Sequence, residues 1–267
     1  MLEEANVAIV GIGNIGQILI TRLLAAGVSS RQILVSDVDA SRAQAAHRQF
    51  AVTPVALADD RLSQADMFLI ATPPKAVPEV ARALAGKAHA GQVFVSFAAA
   101  VPIHRIEMLL PAEVAVVRVM PSAPALIGQG LNPVCFGRGV TVERRRLVEE
   151  LLSALGDTVV VADEQMNWCV GLAGAAMRSL LPVLEGLVQA GLEAGLEPEA
   201  ARRIAAQIMR GTADLVLQTD HSFDEMKRLT PMQTLDEAAT SQLFREAARA
   251  AKEKTDQLQM RLLDADQ

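Results

Sequence analysis

The sequence predicts an α/β fold: a parallel, doubly wound sheet over residues 1–162, followed by an all-helical domain over 163–267. Three observations carry this. Apolar strands alternate with helical segments as far as residue 162. One strand runs straight into a G-x-G-x-x-G turn and then a helix. After Asp163 no further strand is convincing, and the apolar residues follow helical spacing.

Val7-Ala8-Ile9-Val10 is the first strand, and Gly11-Ile12-Gly13-Asn14-Ile15-Gly16 the turn. Gln17 to Ala26 reads as the helix that follows. Gly11 lets the chain turn sharply. Gly13 lets the backbone approach a pyrophosphate with no Cβ in the way. Gly16 allows the helix to pack closely on the strand. The unpaired N–H groups of the first helical turn then form an anion site, and the helix dipole adds to the attraction. This is the Rossmann-type dinucleotide turn. The alternative is a βα turn that kept its glycines and binds nothing.

The second strand, Ile33–Ser36, ends at Asp37. A carboxylate there would accept hydrogen bonds from the adenosine ribose and favours NAD. Arg42, early in the next helix, would reach a 2′-phosphate and favours NADP. Asp39 or Ser41 caps that helix. NADH and NADPH both stay open as the cofactor.

Further strands are expected at Met67–Ala71, Val93–Ser96, Ala115–Met120, Pro133–Phe136 and Thr158–Val161, with helices such as Pro78–Leu84 and Val142–Leu155 between them. Pro121 and Pro124 put a loop just after Ala115–Met120, at the sheet edge where open α/β folds bind ligands. Beyond Asp163, Glu164–Ala194 reads as one long helix, apolar almost all the way round. Pro198–Thr219, Asp224–Leu229 and Thr234–Leu263 follow, mostly helical. A helix apolar on every face must be buried on every face. A second subunit packed against this region would do that. An ordinary helical domain that hides its own apolar faces is the alternative.

Composition narrows the function. Half of the 267 residues are hydrophobic, yet aromatics are 3% and tyrosine is absent, so the core is built from Ala, Leu, Val and Met. The net charge is −6 with no basic cluster, which argues against nucleic acid. The first residues lack a positive n-region, and no apolar run is read as reaching the ~18 residues of a membrane span. A soluble cytoplasmic protein is expected. Cys135, Cys169 and the four histidines fit no metal-ligand spacing, so no metal is expected.

Several stretches together resemble the pyrroline-5-carboxylate reductase family over nearly the whole chain. Ala71-Thr72-Pro73-Pro74-Lys75 sits where that family has A-V-K-P. Ser96-Phe97-Ala98-Ala99-Ala100-Val101 is similar to S-x-A-A-G-V. The stretch from Arg118 to Gly130 resembles R-x-M-P-N-T-P-A-x-x-G-x-G. Ala190–Leu196 resembles the end of the family's interdomain helix. The resemblance implies a Rossmann domain followed by a helical dimerisation domain. It implies hydride transfer from NAD(P)H to the C=N carbon of a cyclic imino acid, giving proline or an analogue. It also implies a homodimer, or a higher oligomer built from it. It places Ala71, Thr72, Pro73, Ala98, Met120 and Pro121 beside the cofactor, with the glycine turn. The cofactor supplies the chemistry and the protein the orientation, so no nucleophile or general-base dyad is required.

The substrate half departs from the family pattern. The family's S-G-S-G-P-A-Y aligns to Ala173-Gly174-Ala175-Ala176-Met177-Arg178-Ser179. Its S-P-G-G-x-T aligns to Thr230-Pro231-Met232-Gln233-Thr234-Leu235. Met232 and Gln233 replace glycines, and Leu235 replaces the closing threonine. Thr234 and Thr230 remain as hydroxyls for the catalytic position. Arg178 stands where a carboxylate clamp would be useful, or else reaches solvent. Ser122, Pro73 and Ala100 are smaller departures. Two other readings stand beside the reductase. One is a catalytically inactive, nucleotide-binding scaffold of the same fold. The other is a hydroxy- or amino-acid dehydrogenase, against which the absence of lysine from Gln165 to Gly195 counts.

Overall fold

A computed structural model describes residues 1–264. Among the described residues, one sheet holds β1 (Val7–Val10), β2 (Ile33–Ser36), β3 (Thr53–Pro54), β4 (Met67–Ile70), β5 (Val93–Ser96), β6 (Ala115–Val119), β7 (Gly130–Phe136) and β8 (Gly156–Val160). Their order is β3-β2-β1-β4-β5-β6-β7-β8. The helices are α1 (Asn14–Ala25), α2 (Ala40–Phe50), α3 (Val77–Ala85), α4 (Ile103–Glu107), α5 (Val142–Leu155), α6 (Met166–Cys169), α7 (Ala176–Glu193), α8 (Pro198–Gln218), α9 (Phe223–Arg228) and α10 (Glu237–Asp264).

The sheet is wound on both faces because side chains alternate along each strand. Val7 and Ile9 of β1 join one core with Leu19 and Leu23 of α1 and Leu151 of α5. Ala8 and Val10 join the other with Val80 and Leu84 of α3 and Ile106 of α4. Strands covered on both faces read as unbroken apolar runs, which is what made β1, β4 and β5 legible.

The sheet is not wholly parallel, contrary to the sequence expectation. β7 runs antiparallel to β6, and β8 runs parallel to β7. Residues 120–129 are too few for the crossover that a parallel return requires, so the chain simply reverses. That reversal puts the Met120–Gln129 loop at the C-terminal edge of β6. β3, a short pairing with β2, was not foreseen; β7 starts at Gly130 rather than Pro133.

The long helix expected over Glu164–Ala194 is interrupted. A 3₁₀ turn (Asp163–Gln165) and α6 lead into a π-turn over Val170–Gly174, closed by Ala175 N–H donating to the Val170 carbonyl at 2.7 Å. Gly174 ends this turn, where a Cβ would make only ordinary contact with the Met120 sulfur, at 3.6 Å. Further on, Pro182 has no N–H to give the Arg178 carbonyl within α7. The run Asp163–Glu193 is, by length and composition, long and apolar enough to cross a membrane: an 18-residue window within it has a mean hydropathy of 1.3. This corrects the expectation that no apolar run reaches such a length. The last helix starts at Glu237 rather than Thr234, because Asp236 caps it by accepting the Ala239 N–H at 2.9 Å.

The chain divides into two compact units. The first is Met1–Ala175 together with residues 249–264, so the end of α10 packs with the sheet unit. The second is Ala176–Ala248. In that second unit α7 packs on α8, and Gly191 makes room for Ala201. Ala201 and Ala205 are buried, but α7 has no buried residue.

Ala100 holds φ +62°, in the left-handed region, while 1% exposed. The resemblance has glycine here, and an L side chain in this conformation is strained. Ala100→Gly is expected to raise stability by about 1 kcal/mol. A higher thermal midpoint at fixed protein concentration is the readout; an unchanged or lower one would contradict it.

Candidate cofactor and active site

The site is built where β1 ends. Gly11 has φ +95°, and its N–H donates to the Ser36 carbonyl at 2.8 Å. A Cβ there would meet the Ala71 carbonyl and the Thr72 nitrogen at 2.8 Å. The turn is thus wedged against the end of β4. A Cβ on Gly16 would run into the Gly11 carbonyl, so helix and turn are locked together. Gly13 differs: a Cβ there would meet nothing within 4 Å. It is the N-cap of α1, with no side-chain cap. The N–H groups of the first turn therefore have no side-chain cap among the described residues, and the space beside Gly13 is open.

That space is a cleft of about 790 Å³. Of the residues expected at the cofactor, Gly11, Gly13, Asn14, Ile15, Asp37, Arg42, Ala71, Thr72, Pro73 and Ala98 line it. Ile12, Gly16, Met120 and Pro121 do not. Ile12 and Met120 are core residues, and Gly16 acts by closeness to Gly11. Sequence reasoning missed Val38, Leu57, Glu79 and Phe97, which also line the cleft. Their neighbours signalled two of these: Val38 follows Asp37, and Phe97 precedes Ala98.

Asp37 is not idle. Its Oδ2 accepts the Ile12 N–H at 2.6 Å and its Oδ1 the Asp39 N–H at 2.9 Å. Asp39 caps α2, taking Ser41 N–H at 2.9 Å and the Ser41 hydroxyl at 2.6 Å, and these bonds hold its carboxyl below the ordinary value. Arg42 lies 3.7 Å from Asp39 in an exposed pair. The residues fit a dinucleotide. An uncapped helix terminus suits a pyrophosphate, a carboxylate lines the cleft just past the end of β2, and the space beside Gly13 is free of side chain. The Thr72 hydroxyl on the cleft wall has no partner among the described residues.

A buried polar network lies behind the edge of β6, and sequence reasoning did not find it. Arg118 is 1% exposed. Its Nη1 donates to Asp163 Oδ1 at 2.9 Å and its Nη2 to Asn167 Oδ1 at 3.1 Å, while its Nε has no partner among the described residues. Asp163 Oδ2 accepts the Ile103 N–H at 2.9 Å. The Asn167 amide donates to Asp256 and Gln259 of α10, at 2.9 and 2.8 Å. Lys252 pairs with Asp256 at 2.6 Å and holds its carboxyl below the ordinary value. Cys135 lies in the neighbouring core, and burial pushes its thiol up to about 11, so it supplies no thiolate.

The expected substrate residues belong to the second unit. Arg178 is exposed near the start of α7. Thr230, Met232, Gln233, Thr234 and Leu235 are exposed in the segment between α9 and α10. Met232 and Leu235 are 77% and 67% exposed, unusual for such side chains.

Known proteins give this geometry a family. Residues 6–100 match the family model described as NADP oxidoreductase coenzyme F420-dependent. Residues 163–258 match pyrroline-5-carboxylate reductase dimerisation. Among solved structures, pyrroline carboxylate reductase of Plasmodium falciparum, with NADP bound, is 17% identical with a TM-score of 0.84, covering 96% of this chain and 99% of that one. The pyrroline-5-carboxylate reductase of Coxiella burnetii is 22% identical with a TM-score of 0.80, covering 95% and 98%. These likenesses carry the fold. Pyrroline-5-carboxylate reductase of Corynebacterium melassecola is 28% identical over 95% of this chain and 98% of its own. That of Mycobacterium tuberculosis (strain CDC 1551 / Oshkosh) is 34% identical over 220 residues, 80% of this chain and 74% of that protein. On that identity and coverage, the chain belongs to the pyrroline-5-carboxylate reductase family.

Proposed function

We propose that the chain is an NAD(P)H-dependent reductase of a cyclic imino acid, converting pyrroline-5-carboxylate or a close ring relative to proline or its analogue. The observation that carries this is the 34% identity to the Mycobacterium tuberculosis reductase, in a chain whose glycine turn opens an uncapped helix onto a cleft. When bound, the nicotinamide supplies the hydride for the C=N carbon. The chain's own residues bind and orient. The N–H groups after Gly13 hold the pyrophosphate, Asp37 takes the ribose hydroxyls, and Ala71, Thr72, Pro73 and Ala98 wall the cleft. Ile12, Gly16, Met120 and Pro121 support it from behind. In the second unit, the Thr230 and Thr234 hydroxyls are the groups to hold a proton at the imine nitrogen. Arg178 is the cation for a substrate carboxylate, and Met232, Gln233 and Leu235 shape the acceptor side.

Cofactor binding is assigned to residues 1–162, and dimerisation with substrate contacts to 163–267. The match to the dimerisation family supports a homodimer. So do Leu180, Leu187, Ile208 and Phe223, each more than 40% exposed in the single chain. A partner's helices, rather than a membrane, would then cover Asp163–Glu193. The enzyme is read as cytoplasmic, with no nucleic-acid partner.

Turnover decides the matter. Purified protein with NADH or NADPH is offered pyrroline-5-carboxylate and piperideine carboxylates while cofactor absorbance is followed. Oxidation of the cofactor with at least one cyclic imino acid is expected. Cofactor binding without turnover on any of them would overturn the reductase reading.

A further inference from the structure

We infer that this chain takes NADH in preference to NADPH, because the Asp37 carboxylate is fixed in the cleft and cannot withdraw from a 2′-phosphate. The inference rests on the dinucleotide reading above and goes beyond it by naming the cofactor. Both Asp37 oxygens are held, one by the Ile12 N–H at 2.6 Å and the other by the Asp39 N–H at 2.9 Å. Swinging the side chain aside would break two charge-assisted bonds at once. The carboxylate braces the glycine turn from the end of β2, and it lines the cleft.

The cation that would welcome a phosphate has a further carboxylate beside it. Arg42 lies 3.7 Å from Asp39, which is itself held at the start of α2 by Ser41. Glu79 is a further carboxylate on the cleft wall, so the charged lining is Asp37 and Glu79 against Arg42. A 2′-phosphate carries about −1.5 to −2 charges at neutral pH. Placed beside Asp37, it meets like charge with one compromised counter-charge. A 2′-hydroxyl instead donates to a carboxylate oxygen, each of which has a lone pair to spare.

Asp37 therefore acts twice, as the group that selects against phosphate and as a strut of the phosphate-binding turn. Its replacement should change both selectivity and overall affinity. The test is calorimetric titration of the full-length protein, with no imine present, using NADH and NADPH. ADP-ribose and its 2′-phosphorylated form serve as fragments lacking the nicotinamide. Wild type should bind NADH and ADP-ribose at least roughly tenfold more tightly than their 2′-phosphorylated counterparts. Asp37→Asn should bring each pair toward equality by weakening NADH and strengthening NADPH. Equal or tighter binding of NADPH by wild type would overturn the inference while leaving the reductase reading intact. An unchanged ratio in Asp37→Asn, with both ligands bound, would remove Asp37 from the selection. Failure of all four ligands to bind wild type would overturn this inference and the reductase reading together.

Discussion

Arg118→Met is expected to destabilise the folded chain by about 3 kcal/mol, the low end of the cost of stranding an ionic partner, because Asp163 is partly exposed. The arginine is 1% exposed, and Asp163 and Asn167 both take their hydrogen bonds from it. Methionine fills much of the space and donates nothing. Among the described residues, Asp163 would keep only the Ile103 N–H, and Asn167 Oδ1 would lose its donor. In a chain of this length such a loss lowers the thermal midpoint by roughly 5 °C or more. The measurement is thermal unfolding at fixed protomer concentration, since dimerisation also contributes. Replacing the arginine and Asp163 together by apolar residues should recover part of the loss, because the stranded charge is gone. A midpoint within about 1 °C of wild type for the single variant would show that the network does not hold this region.

Gly13→Val should abolish most cofactor binding while leaving the fold standing. A Cβ at Gly13 meets nothing within 4 Å, and its φ of −81° and ψ of −159° suit a β-branched residue. The structure alone would accept the substitution at about 1 kcal/mol, because valine is a poor N-cap. The branched side chain would stand in the space beside the first turn of α1. Each lost N–H bond to a charged phosphate is worth about 1.5–3 kcal/mol, so affinity should fall ~100-fold or more. Titration with NADH and NADPH, beside a melting curve, separates the two effects. An unchanged affinity would mean that the pyrophosphate lies elsewhere. Gly16→Ala is the instructive contrast. Its Cβ would strike the Gly11 carbonyl, so it should damage the turn itself and cost stability as well as binding.

These variants show where the sequence was legible. β1, β2 and β5 stand at their expected bounds, because strands buried on both faces are unbroken apolar runs between turn residues. The glycine turn was legible for a similar reason: each glycine answers a local steric demand. The direction of β7 was not, since side-chain alternation is the same in either direction; only the short loop before it carried that information. The π-turn left no periodic signature, because Gly171, Ala173 and Gly174 suit a regular helix equally well in sequence. Ten of the expected cofactor residues meet in one cleft. The double engagement of Asp37 escaped notice because its partner Ile12 is 25 residues away. Arg118 was visible only as part of a motif. Its partners are Asp163 and Asn167, and theirs lie near the C-terminus, a contact that no local pattern encodes.

The return of α10 to the first unit also bears on how the protein is made. Synthesis is vectorial, and units that are continuous in sequence complete themselves as they leave the ribosome. This sheet unit is not continuous. Asn167 waits for Asp256 and Gln259, and Leu262 packs against a core whose other members emerge far earlier. The nascent sheet therefore keeps an uncovered apolar flank and an unfinished polar cluster until the last helix is released. Ribosome-bound chains stopped near residue 248 should be captured by chaperones and cut by protease within the sheet unit, whereas the full-length chain resists.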